Sequence, residues 1–163
     1  MAHRNQLKVA ALVLAALAPL STAFAAPATL DTMVLRGSVA EILAVDFKPE
    51  PIATALDLSK EAADLKVANV FYRSNAPYGF RLSFSSQNAG KLVATANGNP
   101  DTLPYKLAFG GAGFSLADGE VHFDSATITR AEGEEKSLSI SYPQTWLRAG
   151  GYQDTLTVTI SAL

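Results

Sequence analysis

Cysteine is absent from all 163 residues. That excludes disulfides, thiolate nucleophiles and cysteine-ligated metal centres. Stability must then come from packing, strand pairing or association with other subunits. Histidine is nearly as scarce, with only His3 and His122 present. Basic excess is missing too: the formal net charge is −2, and no Lys/Arg cluster runs along the chain, which argues against nucleic acid as a partner. No phosphate loop or dinucleotide fingerprint occurs. Only one long apolar run exists, and it sits at the N-terminus.

That run has the parts of a secretory signal peptide in order. His3, Arg4 and Lys8 make a basic n-region, Val9 to Leu20 an apolar h-region, and Ala23-Phe24-Ala25 an A-x-A cleavage site. The apolar stretch is shorter than the roughly 20 residues that span a bilayer. The expectation is export, with cleavage after Ala25 and a mature chain of residues 26–163, one domain in size. Loss of Arg4 and Lys8 takes the net charge to about −4, from the 13 basic and 15 acidic residues of the whole chain.

The mature chain is patterned in twos. Tyr78, Phe80, Leu82 and Phe84 alternate with polar or small residues, as do Leu103, Tyr105, Leu107 and Phe109, and again Leu138, Ile140 and Tyr142. Turn signals such as Asn75-Ala76-Pro77, Asn97-Gly98-Asn99-Pro100-Asp101, Asp118-Gly119 and Gly150-Gly151 separate these runs. Short strands at such spacing predict an all-β sandwich. Val121 and Phe123 share one parity while Ala126 and Ile128 share the other, which suggests a bulge or a strand changing sheets. Helix is nearly missing; Ser59 to Lys66 is the one candidate, with Ser59 as N-cap.

Two alternating segments lie near the ends. Gly151 to Leu163 reads as one strand, with Tyr152, Leu156, Val158 and Ile160 on a face that also holds Asp154. It is expected to form an edge open to pairing. Near the start, Met33, Leu35, Gly37 and Val39 alternate with Val34, Arg36 and Ser38. This segment either tucks into its own sandwich or leaves its domain to pair with a neighbour. Full burial of Met33, Leu35 and Val39 contributes roughly 5–9 kcal/mol before ordering costs. Gly37 fits a close approach of backbone to a groove floor, or else an ordinary bulge.

Chemistry finds little footing. Glu120, His122 and Asp124 share one strand face, a row that could hold a divalent metal but reads more simply as a solvated face. Gly113-Phe114-Ser115-Leu116-Ala117 lacks the closing glycine of a nucleophile elbow. Glu132, Glu134 and Glu135 cluster around Gly133 as a solvated turn. Trp146 with Tyr142 could form a sugar-stacking surface, although such a Trp more often packs the sandwich edge. No enzymatic activity and no cofactor are expected.

The ends carry a resemblance. Leu35-Arg36-Gly37-Ser38-Val39 resembles the glycine-containing donor segment of pilin N-termini. Ala149-Gly150-Gly151-Tyr152-Gln153-Asp154-Thr155-Leu156 resembles the pilins' closing pattern of glycine, tyrosine, aspartate and alternating apolars. Val67 to Ser86 is similar to the central part of such domains. The chain thus resembles fimbrial subunits of the chaperone–usher pathway, nearest the cysteine-free branch and the related spore coat U-type domains. The resemblance implies an incomplete immunoglobulin-like sandwich of residues 40–163, preceded by an extension of residues 26–39. Its groove would be filled first by a periplasmic chaperone and then, at an outer-membrane usher, by the extension of the next subunit. Met33, Leu35, Gly37 and Val39 would be the donor strand. Tyr152, Leu156, Val158 and Ile160 would be the groove and chaperone-contact strand. A surface fimbrium could also meet a host receptor. The alternative is a self-contained secreted β-sandwich acting as a binding module, for example for carbohydrate.

Overall fold

Eleven strands and one short 3₁₀ turn account for the regular structure of the computed structural model, which describes residues 31–163. The expected signal peptide, Met1 to Ala25, and residues 26–30 lie outside the described residues. In chain order the strands are β1 (Leu43–Pro49), β2 (Ala62–Ser74), β3 (Phe80–Ser86), β4 (Lys91–Ala94), β5 (Thr102–Pro104) and β6 (Lys106–Phe109). They continue as β7 (Ala112–Phe114), β8 (Glu120–Ser125), β9 (Glu134–Tyr142), β10 (Tyr152–Gln153) and β11 (Leu156–Ala162). The 3₁₀ turn, Pro51–Thr54, comes after β1. The described residues are nearly all-β, as the alternation predicts.

Three antiparallel sheets form. The large sheet runs β1-β2-β9-β6-β7, a second runs β11-β3-β8, and a small one runs β10-β4-β5. The first two pack face to face as a β-sandwich, because alternate residues of their central strands are apolar. Val70 and Tyr72 on β2, Leu138 and Ile140 on β9, and Leu107 and Phe109 on β6 meet Phe80, Leu82 and Phe84 on β3, all of them buried. Aromatic rings bridge the layers: Tyr72 lies 5.6 Å from Phe80, and Phe84 lies 5.0 Å from Phe109, centroid to centroid. These tilted offsets suit the ring quadrupoles. Residues 38–163 form one compact unit.

Strand direction fixes two poles. At the first, β2, β8 and β11 end while β1, β3 and β9 begin, so Asn75–Gly79 and residues 126–133 are the connecting loops there. At the second lie the 3₁₀ turn, residues 55–61 and the 143–151 loop.

The structure corrects several local readings. Ser59 to Lys66 is not helical. Ser59 is held by the Asp57 carboxylate through both its amide (3.1 Å) and its hydroxyl (2.6 Å), and β2 has begun by Ala62, with Ala62 and Leu65 paired to β9. Partnering with β9 overrides the weak local preference for helix. The parity switch after Phe123 is no bulge: β8 ends at Ser125 and residues 126–133 form a loop. The run Leu103 to Phe109 is two strands in different sheets, hinged at the buried Tyr105.

Candidate strand-acceptor groove

The sandwich has two long flanks, and they differ. On the β7–β8 flank, Phe123 packs edge-on against Phe109 at 5.2 Å, and the Lys136 ammonium lies 4.5 Å from the Phe123 ring centre. There a cation on β9 lies over rings from β6 and β8 and joins the two sheets. On the other flank, β1 and β11 are the outermost strands of their sheets. Their Cα atoms come within 8 Å of one another, yet no backbone ladder joins them.

Both strands turn an apolar row inward. Leu43, Val45 and Phe47 on β1, and Leu156, Val158 and Ile160 on β11, pack on the core but remain partly exposed. Their polar neighbours, Asp46 and Lys48 on β1 and Thr157, Thr159 and Ser161 on β11, face solvent. The seam between these two unladdered edges, with an apolar row turned inward from each strand, is the candidate slot. A seated strand needs about 4.8 Å on each side. Where the edges stand within 8 Å, they must part by roughly 2 Å to admit one.

Sequence patterning identifies one wall of this slot and misses the other. Leu43, Val45 and Phe47 alternate as clearly as the C-terminal segment does, and Pro49 marks the end of their strand. That period-two signal could have found the second wall. In the C-terminal segment the reading of one continuous strand is corrected. Tyr152 belongs to β10 and pairs with Ala94 on β4, whereas Leu156, Val158 and Ile160 pair with β3. Asp154 makes the break. Its carboxylate accepts from the Ser86 hydroxyl (2.5 Å), the Tyr105 hydroxyl (2.6 Å), and the amides of Asn88 (3.0 Å) and Thr155 (2.8 Å). These bonds pull the backbone out of register between β10 and β11. Burial, with the hydrogen bond to Asp154, raises the Tyr105 phenol above its ordinary pKa.

Met33, Leu35 and Val39 are largely exposed, and no residue from 31 to 42 lies in a strand. Gly37 has nothing within 4 Å of where a Cβ would stand. Asn75 holds the chain just ahead of β1. Its Oδ1 accepts from the Ile42 amide at 2.6 Å and its Nδ2 donates to the Ala40 carbonyl at 2.9 Å.

An open cleft of about 1080 Å³ lies at the second pole, lined by Leu56 and Leu58, by Trp146 and Arg148 of the 143–151 loop, and by Tyr152 and Asp154. Asp101 pairs with Arg148 at 2.9 Å and accepts its amide at 2.8 Å, and the Tyr152 hydroxyl donates to the Arg148 carbonyl at 2.8 Å. Trp146 does not pack the sandwich edge: it is 99 % exposed. Tyr142 is buried with its hydroxyl on the Asp57 carbonyl at 3.2 Å. The two rings therefore share no sugar-stacking surface.

The remaining candidates are engaged in local contacts. Glu120, His122 and Asp124 all face outward from β8. Asp124 makes a two-point pair with Arg81, both bonds 2.7 Å, and Arg81 holds its carboxyl below the ordinary value. His122 Nδ1 lies 2.9 Å from the Ser83 hydroxyl. Glu134 accepts from the Tyr72 hydroxyl at 3.0 Å and Glu135 pairs with Lys48 at 2.6 Å. Among the described residues no group of three or more His, Cys, Asp or Glu side chains is placed to hold a metal ion. No protein-family model matches the sequence, and no curated protein matches it significantly.

Proposed function

We propose that this chain is an exported structural subunit that polymerises by strand donation, in the manner of chaperone–usher fimbrial subunits. The observation that carries this reading is that β1 and β11 are edge strands joined by no ladder, each turning an apolar row inward: Leu43, Val45 and Phe47, and Leu156, Val158 and Ile160. The sandwich is immunoglobulin-like and lacks one strand. The missing strand is residues 33–39 of another copy. Met33, Leu35 and Val39 are apolar side chains at strand spacing that no sheet uses. Backbone bonds to both edges would supply affinity, and alternate side chains would set register. A periplasmic chaperone would cover the same slot before assembly at an outer-membrane usher, and the finished fibre would stand at the cell surface.

Two supporting features are physical. The outer edges of β1 and β11 have no ladder partner, and an unpaired edge such as the β-branched β11 invites pairing. The donated segment leaves from one pole, whereas the slot runs to the other. Contacts of this kind do not close on themselves and extend into a filament.

The test uses the mature chain, residues 26–163, and the same chain lacking residues 26–39. The full chain is expected to form a ladder of multimers that survives detergent until heated. The shortened chain is expected to stay monomeric and to gain thermal stability when a peptide of residues 31–41 is added. A full-length chain that stays monomeric, and a shortened chain indifferent to the peptide, would overturn the proposal.

A further inference from the structure

Large apolar side chains exposed among the described residues fall into three groups. Met33, Val34, Leu35 and Val39 belong to the N-terminal segment. Tyr78 (78 % exposed), Ile128 (58 %) and Leu163 stand at the first pole. Trp146 (99 %) and Ile52 stand at the second. The broad outer faces of the two large sheets carry none of them. A sandwich that merely tolerates stray apolar residues would scatter them. Here they mark the two ends of the molecule.

The point where the N-terminal segment leaves relates these ends. Asn75 fixes Ala40 and Ile42 at the first pole, beside the loops that carry Tyr78 and Ile128. Only Ala40, Glu41 and Ile42 lie between Val39 and the start of β1. Four residue steps span at most about 14 Å. A donated strand that runs alongside β1 in the same direction ends, at Val39, at the second pole of the acceptor. The short tether then forces the donor's first pole against it. A strand laid the other way would bring two first poles together and leave Trp146 in water.

We infer that Trp146 of one copy packs on the Tyr78–Ile128 pole of the next, so that each junction has an apolar pole-to-pole contact in addition to the strand. This rests on the strand-donation reading, and the partner is a second copy of this chain. The physics is that of a hot spot. A tryptophan presented on a loop loses little conformational freedom on docking and buries a large apolar area when a Tyr ring and an Ile side chain cover it. The contact also fixes the direction of the donated strand, which the slot itself does not, since it offers two backbone edges to either orientation.

The absence of cysteine makes the test clean. Trp146→Cys and Ile128→Cys are made separately in the mature chain, multimers are assembled from a mixture, and a short bis-maleimide is added. Cross-linked pairs are expected in the mixture and not in either variant alone. Trp146→Ala is expected to keep the melting temperature of the isolated domain, since the ring packs on nothing. It should weaken junctions by about 30-fold, the effect of losing a 2 kcal/mol hot spot. Multimers that cross-link through Ile128→Cys alone would overturn the inference while sparing strand donation. So would a mixture that multimerises without cross-linking, or a Trp146-dependent retention of glycan by the uncross-linked protein. A mature chain without Cys that fails to multimerise at all would remove strand donation and the pole contact with it.

Discussion

The Tyr105 hydroxyl donates to the Asp154 carboxylate at 2.6 Å across 49 positions of sequence. This bond ties the hinge between β5 and β6 to the point where β10 gives way to β11, and so sets where the slot's second wall begins. Asp154→Ala leaves the Ser86 and Tyr105 hydroxyls and the Asn88 and Thr155 amides without this acceptor. The expected loss is about 3 kcal/mol in urea unfolding, because hydrogen bonds to a charged group are the stronger kind and orphaned buried donors add to the cost. Tyr105→Phe removes one donor and should cost about 1 kcal/mol. The double variant should lose less than the sum of the two, since both changes break the same bond.

The tyrosines make the fold sensitive to alkali. Burial raises the phenols of Tyr72, Tyr105 and Tyr142 above the ordinary value of 10. A group with a raised folded pKa contributes stability that is complete below its unfolded pKa and is lost as pH climbs toward the folded one. Unfolding should therefore set in above pH 10, with tyrosinate absorbance and loss of strand signal appearing together. Tyr105→Phe should shift the onset upward. The acid side runs oppositely. Hydrogen bonds from Ser59, then Lys60, hold Asp57 at about 2, and Arg81 lowers Asp124. Those contributions are present above the ordinary carboxylate value of 3.8 and fade as pH falls toward 2. Both carboxylates are exposed, so this step should be small and reduced by salt.

What the sequence reveals and what it conceals divide along physical lines. The central strands are legible because burial on one face enforces alternation: Phe80, Leu82 and Phe84 on β3, or Leu138, Ile140 and Tyr142 on β9, are all buried. The Ser59–Lys66 segment misleads because local propensity is weak where a strand partner, here β9, waits far along the chain. The break at Asp154 cannot be read locally, since its donors Ser86, Asn88 and Tyr105 come from three distant places. One wall of the slot is visible as alternation near the C-terminus. The slot itself is a relation between β1 and β11, which lie more than a hundred positions apart, and neither pattern states that no strand lies between them. Composition alone puts Trp146 at the sandwich edge, and its loop carries it into solvent instead.

Two glycines with positive φ separate strain from crowding. Gly79 (φ 97°) opens β3, and a Cβ there would run into the Ser125 carbonyl and Ala126. Gly98 (φ 80°) lies in the 95–101 loop with open space around it. Gly98→Ala should cost about 1–2 kcal/mol, the penalty of a left-handed conformation alone. Gly79→Ala should cost clearly more, because either the β3–β8 junction or the Asn75–Gly79 turn must also shift. Denaturant midpoints of the two variants, measured side by side, check the order. Equal losses would mean that the first pole yields easily.

Adjacent residues on β11 give the most discriminating test of the slot. Val158 points inward and is partly buried, while Thr159 points outward beside Ser83 of β3. Strand alternation places the two on opposite faces. A carboxylate at 158 would sit where the donated strand must lie, and burying it without a partner is strongly unfavourable. Val158→Glu should abolish detergent-resistant multimers and binding of the 31–41 peptide. It should destabilise the isolated domain only moderately, since the side chain retains access to water while the slot is empty. Thr159→Glu adds the same charge one residue along and should leave assembly intact. A control on the opposite flank is Val121→Glu on β8, also partly buried, which should lower stability without touching the peptide affinity of the molecules that remain folded. If Thr159→Glu blocks assembly as fully as Val158→Glu, copies associate through the outer face of the β11-β3-β8 sheet and the slot is not the acceptor.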